Sequence, residues 1–134
     1  MENFDSFKKK VCIVDDEANI REIYETALKK NGYEVVTASN GAEGLKTIIG
    51  QKPDLILADI MMPEMNGVEM IREIRKHKEL LPIPIVVMTN VDDRETIKIA
   101  GELETSFYLV KALFTSEKMA DIVDEALQKG RVFR

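Results

Sequence analysis

The chain has 134 residues, 45% hydrophobic and 32% charged, with a net charge of −5 and a single cysteine. That length supports one ordinary domain whose core needs no staples, and a lone Cys12 excludes an intrachain disulfide and suits a reducing compartment. The acidic balance argues against a nucleic-acid surface. No apolar run reaches membrane-spanning length, and Met1 to Lys10 has no apolar stretch of the kind a secretory signal needs, so the expectation is a soluble cytoplasmic protein with no membrane contact.

Read in order, the chain alternates strand and helix. Val11 to Val14 is a first strand that runs into Asp15-Asp16-Glu17. Ile20, Ile23, Tyr24, Ala27 and Leu28 then recur at i, i+3, i+4, i+7 and i+8, the apolar face of a helix. Asn31-Gly32 ends it, and a second strand runs from Tyr33 to Ala38. Asn40 and Glu43 have capping spacing for a second helix, with Leu45, Ile48 and Ile49 expected in the core. Leu55 to Ala58 is a short, wholly apolar strand, the pattern of one buried on both faces, and it ends on Asp59. Pro63 blocks further pairing, and Asn66 and Glu69 open a third helix that runs to about Lys76 and buries Val68, Ile71 and Ile74. Ile85 to Met88 is a fourth strand, ending at Thr89-Asn90. Asp92 and Glu95 open a fourth helix, to about Leu103. Phe107 to Val110 is the fifth strand, ending at Lys111, and Thr115-Ser116 starts a fifth helix with an apolar stripe of Met119, Ile122, Val123, Ala126 and Leu127.

Five βα units joined by short connections imply a doubly wound parallel sheet with helices on both faces. No repeat or linker interrupts residues 1–134, which read as one domain with no second domain. In such a sheet the carboxyl ends of all strands share one edge, where ligands bind. That edge receives Asp15 and Asp16, Asp59, Thr89 and Lys111. Gathered carboxylates repel and raise one another's pKa unless a cation sits among them. Oxygen-only donors select a hard cation, and Mg²⁺ takes one or two carboxylates together with water and phosphate oxygens. Lys111 and the Thr89 hydroxyl suit a phosphoryl oxygen, and an Asp carboxylate can attack phosphorus to form an acyl phosphate.

The ordered set Val14-Asp15-Asp16-Glu17, Asp59 through Gly67, Thr89 and Tyr108-Leu109-Val110-Lys111 resembles the receiver domain of two-component response regulators, over about Lys10 to Gly130. The likeness is closest in kind to stand-alone, chemotaxis-type regulators. The spacing, 30 residues from Asp59 to Thr89 and 22 from Thr89 to Lys111, makes the set specific. The resemblance implies a flavodoxin-like five-stranded sheet of order 2-1-3-4-5 with five helices. It implies Asp59 as acceptor of a phosphoryl group from a sensor histidine kinase or phosphotransfer protein, in a Mg²⁺-dependent reaction. Asp15, Asp16, Asp59 and the Met61 carbonyl would be the metal ligands, Lys111 and Thr89 the residues that contact the phosphoryl group, and Thr89 with Tyr108 the switch pair. Such a domain is no enzyme beyond its own phosphotransfer and dephosphorylation.

A receiver alone must bind a target, dimerise or pass its phosphoryl group on. The face of helix four, strand five and helix five would carry that contact. Three positions depart from the family's pattern: Ala112 where proline usually follows the lysine, Asn90 where a small residue follows the switch Thr, and Glu104-Thr105-Ser106 where a glycine usually precedes the fifth strand. The resemblance also implies that Met61 and Val91, two residues past the acceptor and the switch Thr, would flank the water that hydrolyses the acyl phosphate. Neither orients water well, so slow self-dephosphorylation is expected. A fold kept only as an interaction module is disfavoured by the full set of site residues. A flavin or dinucleotide site is disfavoured by Asp15-Asp16-Glu17, which repels an unaccompanied phosphate, and by the lack of a G-x-G-x-x-G after a strand.

Overall fold

Each apolar run becomes a strand and each period-3.6 stripe a helix. The computed structural model describes residues 8–60, 66–90, 94–105 and 107–129. In chain order it has β1 (Lys10–Val14), α1 (Ala18–Lys30), β2 (Glu34–Ala38), α2 (Gly41–Gln51), β3 (Leu55–Asp59), α3 (Gly67–Ile74), β4 (Ile85–Thr89), α4 (Arg94–Glu102), β5 (Phe107–Val110) and α5 (Ser116–Lys129). Single 3-10 turns lie at Lys78–Leu80 and Lys111–Leu113.

All strand pairings are parallel, in the order β2-β1-β3-β4-β5, which is the flavodoxin-like arrangement the sequence implied. The central strands β3 and β4 are buried at all five positions, as expected for strands covered on both faces. Alternation along the strands splits the core into two layers. Val11, Ile13, Leu55, Leu57, Val86, Met88 and Leu109 pack with α1 and α5, whereas Cys12, Val14, Ile56, Ala58, Ile85 and Val87 pack with α2 and α3. Each fully buried aliphatic side chain is worth about 1.5–3 kcal/mol relative to exposure, so the two layers, rather than any helix alone, hold the fold. Gly44 lets α2 sit tight on β1, since a Cβ there would come within 2.8 Å of Met70 Sδ and 2.9 Å of Val14 Cγ1.

The helix starts follow the sequence signals where those residues are described. Asn40 accepts from Glu43 N at 2.8 Å, with Glu43 reaching back to Ser39 N, and Asn66 accepts from Glu69 N at 3.0 Å. Thr115 Oγ1 accepts from Lys118 N at 3.1 Å to open α5. The capping signal at Asp92 lies outside the described residues. Two expected core residues are instead exposed, Ile23 at 51% and Ile49 at 37%. On α2 the buried line is Gly41, Gly44 and Ile48, and Ile49 is turned about 100° away from it. On α1, Tyr24 and Leu28 take the core, and Ile23 borders the groove between α1 and α5.

Candidate functional site

Two-residue alternation explains which groups meet at the carboxyl edge of the sheet. Asp15 continues the Val11–Ile13 face, Asp59 the Leu55–Leu57 face and Lys111 the Phe107–Leu109 face, all toward the α1–α5 layer. Their side chains therefore converge. Lys111 Nζ lies 2.6 Å from Asp15 Oδ2, 2.9 Å from Asp59 Oδ2 and 3.4 Å from Glu17 Oε1. Asp15 is fully buried, Asp59 is 4% exposed and Lys111 9%. Asp15 Oδ1 also accepts from the backbone N–H of Glu17 at 2.9 Å. The Asp15 contact with Lys111 is a close ion pair without the alignment of a good hydrogen bond.

Burial pushes the Asp15 carboxyl above the ordinary carboxylate range, and Lys111 and the Glu17 N–H only partly offset it. Burial also works against the charge of Lys111. Its hydrogen bonds and charge interactions with Asp15 and Asp59 outweigh that and hold the ammonium on above its usual value. Three carboxylates, those of Asp15, Glu17 and Asp59, thus face one ammonium, so the cluster is short of positive charge.

That shortage fits a cation. One carboxylate oxygen each from Asp15, Asp16, Glu17 and Asp59 lies within 4.8 Å of the others, and the exposed Asp16 and Glu17 open the cluster to solvent. A donor set of oxygens alone is the chemistry of a hard divalent ion. The predicted ligand Met61 lies outside the described residues, as does Val91. Directly beneath, the bare Cα of Gly67 packs on the Asp59 carbonyl and the Ile60 backbone, where a Cβ would collide with both. Gly67 N also donates to Ile60 O at 3.2 Å. Only glycine lets α3 begin this close to Asp59.

Thr89 and Tyr108 are placed differently. Tyr108 pairs with Val87 and Thr89 with Val110, so alternation puts Thr89, Val87 and Tyr108 on the other face of the sheet. Thr89 is fully buried, and Tyr108 is half-buried against the α2–α3 layer. Thr89 and Tyr108 thus share one face at the same edge, while Asp15, Asp59 and Lys111 share the opposite one.

Where the sequence departs from the receiver pattern, the backbone absorbs the change. Lys111 and Ala112 open a 3-10 turn that leaves Leu113 71% exposed. Glu104 takes the left-handed conformation itself, at φ 58°. The carbonyls of Leu103 and Glu104 receive Arg75 Nε at 3.0 Å and Nη2 at 3.1 Å. Two residues near the cluster had been given no role from the sequence. Glu17 faces Lys111, and Arg21 Nη1 donates to the Asp15 carbonyl at 2.6 Å. The signal available for them was the acid-to-base i,i+4 spacing of Glu17 and Arg21 at a helix start.

A parallel five-stranded sheet that gathers buried carboxylates and one lysine at its carboxyl edge has the arrangement of a receiver-type signalling domain. The family model described as the response regulator receiver domain matches residues 11–124, and the chain belongs to that family: it is a receiver domain of two-component response regulators. A probable transcriptional regulator of Guillardia theta, ycf27, is 43% identical over 115 residues, covering 86% of this chain and 44% of that protein. The alkaline phosphatase synthesis transcriptional regulatory protein PhoP of Bacillus subtilis is 37% identical, covering 85% and 47%. The chemotaxis response regulator CheY4 of Vibrio cholerae superposes with a TM-score of 0.82 at 30% identity, covering 88% of this chain and 98% of that one. The chain thus spans about half the length of these curated regulators. Among the described residues no helix is long and apolar enough to cross a membrane.

Proposed function

We propose that Asp59 accepts a phosphoryl group from a sensor histidine kinase or phosphotransfer protein in the cytoplasm, and that this switches a protein-binding surface. The supporting observation is the Asp59 carboxylate, almost wholly buried and paired with Lys111 at 2.9 Å at the carboxyl end of β3. An Asp59 oxygen attacks phosphorus as the bond from phosphorus to the donor nitrogen breaks, and that nitrogen leaves with its electron pair. Lys111, already turned to Asp59, moves its charge onto the incoming oxygens. Mg²⁺ held by Asp15, Asp16, Asp59 and the Met61 carbonyl would neutralise charge on the phosphoryl oxygens. Thr89 then donates its hydroxyl to the phosphoryl group, and Tyr108, on the same face, repacks behind it. The bond from Thr89 supplies the difference in affinity between the two states that such a shift requires.

The output surface is the α4–β5–α5 face, where Ile97 is 44% and Leu113 71% exposed, and a second copy of the chain is one partner it could take. Met61 and Val91 leave hydrolysis of the acyl phosphate slow, so the signal lasts many minutes. The test is Mg²⁺-dependent labelling by acetyl phosphate, followed by intact mass. The expected result is one phosphoryl group on the native chain, none on Asp59→Asn, and faster decay in Met61→Asn and Val91→Glu. Equal incorporation in Asp59→Asn would end the assignment.

A further inference from the structure

Among the helix starts described at the carboxyl edge, that of α1 differs from those of α2 and α3. α2 and α3 each have an asparagine cap whose side chain accepts a backbone N–H. α1 has none: its N-cap residue, Glu17, makes no side-chain cap bond, and its carboxylate lies 3.4 Å from Lys111. An uncapped helix start gives up about 1 kcal/mol and a geometric constraint. Here the loss falls on the turn that presents Asp15 and Asp16.

The constraint is replaced from inside the helix. Arg21 N donates to Glu17 O at 3.1 Å, the first helical bond of α1. The Arg21 side chain reaches back, and its Nη1 donates to the Asp15 carbonyl at 2.6 Å. That carbonyl belongs to the residue just past the end of β1. On its other side Asp15 is held by its own N–H to Ala38 O at 3.1 Å, and its Oδ1 accepts from Glu17 N. The turn from Asp15 to Arg21 is therefore a closed ring of hydrogen bonds, with the Arg21 guanidinium as the only side-chain donor that spans it among the contacts described. A charged donor makes this the strong kind of bond. The guanidinium also puts a permanent positive charge behind a cluster short of it.

We infer that Arg21 is a positioning residue for the acidic site: by fixing the Asp15 carbonyl from the first turn of α1, it sets the direction in which Asp15 and Asp16 face a divalent cation and Asp59. The inference rests on the proposed phosphoryl chemistry, and it takes over the role that asparagine caps play at α2 and α3. Misplacing a reacting constellation by about 1 Å can cost about a hundredfold in rate, so this one bond is enough to matter.

The experiment compares the native chain with Arg21→Ala, Arg21→Gln and Arg21→Lys. Three quantities are read: Mg²⁺ affinity by titration, the rate of acetyl-phosphate labelling at saturating Mg²⁺, and amide hydrogen exchange in metal-free buffer. Arg21→Ala is expected to label about ten to a hundredfold more slowly and to bind Mg²⁺ more weakly. It should speed exchange at the Glu17 amide while leaving the Glu43 amide, under the Asn40 cap, unchanged. Arg21→Lys, which keeps the charge but not the planar fork, is expected to recover Mg²⁺ affinity more than labelling rate. A merely structural arginine predicts faster exchange at both amides and labelling that returns to the native rate once the sample is cooled into its folded range. That outcome overturns the inference, as does labelling of Arg21→Ala within twofold of native. If Arg21→Ala does not fold, Arg21→Gln carries the same comparison. Failure of the native chain itself to label would instead strike the phosphoryl reading.

Discussion

The two edges of the sheet each hold a lysine among carboxylates, and they use it differently. At the amino-terminal edge, Lys10 Nζ touches Gln51 at 2.9 Å and Glu34 at 3.6 Å, with side chains 25% and 57% exposed for Lys10 and Glu34. At the carboxyl edge, the side chains of Lys111 and its partners Asp15 and Asp59 are no more than 5% exposed. Water screens the first group, and such exposed pairs are worth about 0–1 kcal/mol. The second group has given up water, so each member depends on the others. A lysine beside acidic side chains thus makes a solvated surface at one end and a mutually dependent cluster at the other, and burial is the variable that separates them.

The largest effect expected from this contrast is at Lys111. Lys111→Met removes the ammonium from two buried carboxylates and should cost about 3 kcal/mol in metal-free buffer at neutral pH, read as a fall in the urea midpoint. A loss under 1 kcal/mol would show that water already solvates Asp15 and Asp59, and the contrast between the edges would fail.

Next comes the cation. A divalent ion that binds only the folded cluster stabilises it by RT ln(1 + [L]/Kd), about 1.4 kcal/mol at ten times Kd. Millimolar Mg²⁺ should therefore raise the melting temperature of the native chain, and Asp16→Ala should reduce that gain while leaving the metal-free melting temperature little changed. An unchanged melting temperature in metal-stripped buffer with and without Mg²⁺ would count against a cation site.

A third measurement uses a buried thiol outside any disulfide. Cys12 lies in the α2–α3 layer, and burial, then the nearby charge of Glu43, pushes its thiol up to about 12. Because the folded value is raised above the ordinary 9.0, the contribution to stability is fully present below pH 9 and is lost as pH rises toward 12. Between pH 9 and 11 the native chain should resist iodoacetamide and react only as fast as it opens. Prompt alkylation at pH 9 without unfolding would contradict the burial.

Much of this was legible in the sequence. The alternation, the Asn40 and Asn66 caps, and Asp15, Asp59 and Lys111 at strand ends are local signals, and a parallel sheet brings strand ends to one edge automatically. What could not be read depends on rotation and packing between elements. Ile23 and Ile49 fit an apolar count, but whether a neighbour covers each is decided by where α1 meets α5 and how α2 sits on β1. The turning of Glu17 away from its cap toward Lys111 joins residues 94 positions apart, and the reach of Arg21 to the Asp15 carbonyl depends on a rotamer that no spacing announces. The left-handed Glu104 was flagged only as a missing glycine.

The smallest effect is at the amino-terminal edge, and it is the control for the rest. Lys10→Met removes an ammonium whose partners are a neutral amide and an exposed carboxylate, so its direct cost should stay within about 0.5 kcal/mol. The backbone there is held by another bond: Lys10 N donates to Asp54 Oδ2 at 2.8 Å, which the substitution does not touch. Asp54→Ala, by contrast, takes the acceptor from that N–H at the first residue of β1 and should cost about 1 kcal/mol. The pair can be separated from the carboxyl edge by salt. Raising ionic strength from 50 to 500 mM should erase what little Lys10→Met costs, because the Debye length falls to about 4 Å and counter-ions reach this exposed pair freely. It should leave the cost of Lys111→Met largely in place. If both substitutions lose their effect in salt together, Lys111 is screened like a surface residue, and the burial of the site cannot be what sets its chemistry apart.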